Sequence, residues 1–185
     1  MIKSGQVEDL AQAGFHYVTA ITKPQIDALI EARLIQMELF ADEVCEVERE
    51  GVRYVLRRNP DRAAQLAASR ADKQASVEKF LQNRNGYLEQ HPRAKVATAE
   101  KAVRAKIGQL KTEVWLTVQA EGRALKLAVN QAALEVTVRL DGCYVIKTDL
   151  PASAASTQTV HDRYKELSLV EQAFRTCKTA PPCQH

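Results

Sequence analysis

Between Asp61 and Asn85 the chain contains neither glycine nor proline, and Asn59-Pro60-Asp61 stands in front of that stretch as a helix start. After GYLEQHP a second run follows, from Arg93 to Leu110, in which Val96, Ala99, Val103, Ile107 and Leu110 recur at steps of three and four. That period marks one apolar face of a helix. The sequence therefore predicts two helices joined near Asn85 to Pro92. Short β-like segments lie on both sides of them, so any fold must set a helical pair among strands.

Charge follows the same partition. Lys and Arg outnumber Asp and Glu by only 26 to 23 over the whole chain. From Arg57 to Lys111 the ratio is 13 to 5, a local balance of +8, while the remainder stands at −5. A basic helical pair of this kind suits a non-enzymatic nucleic-acid-binding module, because neutralising phosphates releases counterions and drives sequence-independent binding. A solvated surface has the same composition, and clustered aromatics for stacking bases are missing. No apolar run approaches the roughly 20 residues of a spanning helix, and MIKSGQVEDL has no hydrophobic secretion core. No membrane partner is expected, and the cytoplasm is the expected location. Cys45, Cys143, Cys177 and Cys183 form no CxxC pair; only the loose group Cys177, Cys183 and His185 has a metal-like look, and reduced thiols are the plainer reading.

The flanks read as mixed elements. Ser4 caps a short helix over VEDLAQA that Gly14 stops; HYVTAI, residues 16–21, is a buried strand; Pro24 opens a helix over QIDALIEARLIQ. Helix, strand, helix belongs to an α/β layered fold. A strand of that type is expected to have a parallel neighbour, here before residue 4, so the fold starts in mid-sheet. EVCEVE and VRYVLR flank Glu50-Gly51 as a hairpin. EVWLTVQA, ALKLAV, ALEVTVRL and CYVIKTDL, with turns at Glu121-Gly122 and Asp141-Gly142, predict a meander of four strands. Pro151 closes it, and Thr157 or Thr159 can cap a last helix. No Gly-rich phosphate loop, internal repeat or Ser/His/Asp arrangement is present.

On that last helix Tyr164, Glu171 and Lys178 stand seven residues apart, a step that returns to nearly the same face. Leu167, Val170, Ala173, Phe174 and Cys177 fall on an adjoining apolar arc, which places Glu171 at the border of the core. A partly shielded carboxylate there suits a hard divalent cation, provided that other carboxylates join it. Ser168 and Glu171 also spell a capping box, and Glu171 with Arg175 makes an ordinary i,i+4 pair.

GCYVIKTDLP followed by YKELSLVEQAFRTCK resembles the C-terminal part of bacterial insertion-sequence transposases of the DDE class, in which Tyr, Arg, Glu and Lys recur as Y-x2-R-x3-E-x6-K. Tyr164, Glu171 and Lys178 fall on that pattern, with Leu167 where Arg would stand. MIKSGQVEDL and GFHYVTAITKPQI resemble the same family just after its second catalytic Asp. The resemblance implies an α/β (α+β) fold, an incomplete RNase H-like core with an inserted strand and helical-hairpin region. Residues 1–40 would be part of the core, 41–155 the insertion (hairpin, basic pair 57–111, strands 113–150), 156–179 the core helix, and 180–185 a tail. It implies Glu171 as a catalytic, metal-binding acid for Mg²⁺ or Mn²⁺, with Tyr164 and Lys178 contacting the DNA of transposon ends. The implied chemistry is two-metal cleavage and transfer of DNA strands in transposition and recombination. Both aspartates of the triad would belong before Met1, and none of Asp9, Asp27, Asp42, Asp141 or Asp149 stands in a matching context. The expectation is a truncated transposase, inactive alone, whose HYVTAI edge invites self-association.

Overall fold

The computed structural model describes the backbone of residues 12–179 and, Ser168 apart, the side chains as far as Val170. It is a mixed α and β protein; the described residues form five α-helices and two antiparallel sheets. Residues up to Asn59 and those from Cys143 onward form one compact unit, and Pro60–Gly142 form a second, inserted one. The compact unit 60–142 is shorter than the stretch 41–155 set out above; the hairpin before it and the strand after it belong to the flanking unit.

In the flanking unit, strands β1 (Val18–Ala20), β2 (Cys45–Arg49) and β3 (Val52–Arg58) combine with the late strand Cys143–Thr148, β6 in chain order. The sheet order is β1-β6-β3-β2, antiparallel throughout. The β2–β3 hairpin turns through Glu50 and Gly51 at φ 52 and 72. Both are left-handed, as a two-residue hairpin loop that matches strand twist requires. On the central pair, Val55 opposes Ile146 and Leu56 opposes Val145. All four are fully buried although they point alternately to the two faces, so both faces of the sheet are covered at its centre. The expected parallel neighbour of β1 lies outside the described residues; its described partner is β6, in register Val18 to Thr148.

Helix α1 (Lys23–Glu31) starts where Pro24 predicts, with Gln25 Oε1 accepting from the Thr22 N–H at 2.9 Å. It ends sooner than the sequence suggests. Arg33 turns left-handed at φ 56, and Leu34 N–H returns to Leu29 O at 2.9 Å, closing the helix so that Ile35 is buried instead of continuing the turn. The helix expected over VEDLAQA lies outside the described residues apart from its end; Gly14 has φ 74.

The inserted unit contains α2 (Pro60–Gln90), α3 (Val96–Gln109), the hairpin β4 (Leu116–Glu121) and β5 (Ala124–Val129), and α4 (Gln131–Val138). Val77, Leu81 and Leu88 of α2 meet Ala99, Val103 and Ile107 of α3 over Trp115, Leu116, Val118 and Leu125. The break between the helices comes after Gln90, later than expected. Asn85 explains the extension: its side chain accepts from Leu125 N–H at 2.8 Å and donates to Leu125 O at 2.9 Å, while Leu88 is buried one turn further on. Arg123 then donates to the carbonyls of Leu88, His91 and Ala94, which satisfies the helix end.

The four-strand meander is not formed. ALEVTVRL supplies helix α4, because Asn130 Oδ1 accepts from Ala133 N–H at 3.1 Å as an N-cap and Thr137 Oγ1 bonds back to Ala133 O at 2.8 Å. CYVIKTDL pairs with β1 and β3 instead of with β5.

Candidate functional site

The last helix, α5 (Thr157–Thr179), carries the predicted stripe. Its cap is Ser156, whose Oγ accepts from Thr159 N–H at 3.1 Å, instead of Thr157 or Thr159; Thr157 uses its hydroxyl to reach Glu46 Oε2 at 2.7 Å. The first turns of α5 cover the sheet. Val160 and His161 are buried, and Tyr164 packs against Val55, Ile146 and Val160. Leu167 and Val170, expected on the apolar arc, are 51% and 50% exposed. They correct that expectation for these two residues; Ala173, Phe174 and Cys177 of the arc lie outside the described side chains.

Of the three stripe residues, Tyr164 is half-buried against the sheet. Glu171 and Lys178 fall within the helical span, about 10 Å and 21 Å further along its axis, but their side chains lie outside the described residues, as do Cys177, Cys183 and His185. Among the described residues no group of three or more His, Cys, Asp or Glu side chains could hold a metal ion. Asp141 is buried and paired with Arg70. Asp149 accepts from Tyr17 N–H at 2.9 Å and lies 3.4 Å from His16 Nδ1. Asp9 lies outside the described residues. Asp141 and Asp149 are thus structural partners.

Two polar clusters beneath α5 were not anticipated. In the first, buried Arg53 donates Nε and Nη2 to the two oxygens of Glu46 at 2.8 and 2.7 Å, and Nη1 to the carbonyls of Leu150 and Ala155. The Arg53 bonds hold the Glu46 carboxyl below the usual carboxylate range. The salt bridge in turn raises Arg53. In the second, His161 Nε2 lies 2.7 Å from Tyr144 Oη and 3.2 Å from Arg57 Nη1, while Nδ1 lies 3.0 Å from Asp162 Oδ1. A carboxylate only accepts and a guanidinium only donates, so this arrangement places the His161 proton on Nδ1 and the lone pair on Nε2. The hydrogen bond from His161 lowers Asp162, and burial raises Tyr144 against the opposing effect of Arg57. A polar cavity of about 360 Å³, lined by Asp42, Glu43, Val44, Arg57 and Gln158, opens beside this cluster. Alternation in VRYVLRR places Arg53, Val55 and Arg57 on one face, the sequence signal from which inward arginines needing partners could have been found.

No helix among the described residues is long and apolar enough to cross a membrane. No protein-family model, curated protein or solved structure matches this chain.

Proposed function

We propose that this chain corresponds to the C-terminal part of a DDE-class DNA transposase, with an incomplete RNase H-like core, that contacts DNA through Tyr164 and Lys178 and does not cleave strands alone. The carrying observation is the insertion. Residues 60–142 make a compact unit with its own core, and the chain leaves and re-enters the flanking sheet at paired positions, Arg58 opposite Cys143. An insertion between the second aspartate and the glutamate is the layout that the sequence resemblance implies. The helix following the re-entry strand spans Tyr164, Glu171 and Lys178 without a break.

Two further points support the reading. Among the described residues β1 pairs only with β6, so its other edge suits the parallel strand that such a core places there; left uncovered, that edge promotes self-association. Glu171 is the only acid of the triad matched in this chain, and one carboxylate cannot hold two cations against a phosphate. Mg²⁺ or Mn²⁺ therefore serves the intact class of enzyme and binds weakly here.

The test is binding to duplexes that end in the terminal repeats of the element. Lys178→Ala and Tyr164→Phe are each expected to weaken the complex several-fold, and no nicking is expected with Mg²⁺ or Mn²⁺. Unchanged binding by both variants would overturn the reading, and metal-dependent nicking abolished by Glu171→Gln would overturn its inert part.

A further inference from the structure

Helix α3 has two dissimilar halves. Ala99, Val103 and Ile107 point into the core of the inserted unit. The opposite half is exposed, and at about 100° per residue it presents Ala97, Ala105 and Gly108 as a low floor with Lys101 at its centre. Arg104 borders that floor on one side; on the other, Lys95 at the N-cap and half-buried Lys106 flank the buried stripe, with Thr98, Ala102 and Gln109 between them and the floor. From Arg93 to Lys111 the chain has six Lys or Arg residues and one acid, Glu100, which is engaged by Arg104 at i,i+4. Lys95, Lys101 and Lys106 have no ion pair or hydrogen bond to another side chain among the described residues. Two of the α2 cations are engaged: Arg70 pairs with Asp141, and Arg84 lies 4.8 Å over the Phe80 ring. Acids at Asp61, Asp72, Glu78 and Glu89 are interspersed along the same helix.

We propose that the exposed half of α3 is a docking surface for the phosphate backbone of duplex DNA, bound without regard to base sequence. The occupant follows from charge complementarity. Unpaired ammonium groups are point charges that suit phosphate oxygens, and each phosphate neutralised releases counterions. Small side chains between the lysines allow the backbone close. A helix about 10–12 Å across also fits a major groove about 12 Å wide. No aromatic residue occurs between Arg93 and Lys111, so the surface has no stacking platform for single-stranded bases. This surface belongs to the inserted unit and Tyr164 and Lys178 to the flanking one, and it does not depend on the transposase reading.

Fluorescence anisotropy with the full chain and a duplex of arbitrary sequence tests it, over about 50–200 mM salt. Affinity is expected to fall with salt. The triple variant Lys95→Gln, Lys101→Gln, Lys106→Gln should bind at least about tenfold more weakly and flatten the log–log slope by about two to three. A control with the same charge change, Lys73→Gln, Lys79→Gln, Lys165→Gln, should stay within about threefold of the parent; circular dichroism melts establish that both variants are folded. Equal losses in the two variants, or none in the α3 variant, overturn the proposal. A tighter complex with the single strand overturns the duplex assignment. The α3 triple variant is scored on the arbitrary duplex and Lys178→Ala on the terminal-repeat duplex, so that the two contacts are read separately.

Discussion

Arg53 occupies the middle of a sheet at 2% exposure, where an uncompensated guanidinium costs several kcal/mol. Every donor group of its fork is used, and Glu46 takes two of the bonds. Removing the Glu46 charge strands the cation. Glu46→Gln should therefore destabilise the protein by about 2–4 kcal/mol in urea unfolding at neutral pH, toward the lower end because Glu46 keeps some contact with water. The pH dependence has a definite sign. A carboxyl group whose folded pKa is depressed contributes stability above its unfolded value, ~4.3, and loses that contribution as pH falls through the lower folded value. Between about pH 5 and pH 3 the parent protein should lose more stability than Glu46→Gln; parallel curves would show that this carboxylate is not the linked group. The site was legible only in part. The hairpin turn Glu50-Gly51 fixes a register in which Glu48 opposes Arg53 and Glu46 lies diagonal to it, so either acid fits the local pattern. Thr157, brought in from the far end of the chain, completes the Glu46 arrangement.

At the scale of elements, local signals held wherever tertiary contacts agreed with them. Glu50-Gly51 and Pro24 each did what their backbone preferences require. Gly86 did not: a helix-breaking residue lies inside α2 because Asn85 and Leu88 are fixed by the hairpin and the core on either side of it. A β-carbon at Gly86 would meet nothing within 4 Å, so Gly86→Ala should raise stability by about 0.5–1 kcal/mol, read as a higher melting temperature. A fall would mean that α2 is bent or frayed at this point. The reverse case is α4. Its alternating valines and leucines carry a strand signal, yet the segment is a helix opened by a side-chain cap at Asn130. Asn130→Ala removes the only side-chain acceptor at that helix start and should cost about 1 kcal/mol in urea unfolding. Period-two alternation over so short a segment could not reveal this, since the same residues also fit two turns of helix.

For the whole molecule, the telling pair is Arg58 and Cys143, the last residue of β3 and the first of β6, which are direct partners in the sheet. The strands on either side of the insertion are already neighbours. The segment between has its own core: the cluster of Val77, Leu88, Val103, Trp115 and Leu125 draws all its members from 60–142. The segment has the size of small domains that fold alone. The charge partition in the sequence pointed to its helices, but its limits were hidden, because the strands on both sides have the same hydrophobic pattern as β4 and β5 and only long-range pairing separates them. Residues 60–142 expressed alone should thus give a helical circular-dichroism spectrum and a sigmoidal thermal melt. Trp115, buried at 3% in that core, supplies a second probe whose fluorescence should change at the same midpoint. A gradual melt, or two midpoints that disagree, would mean that the inserted unit draws its cooperativity from the rest of the chain.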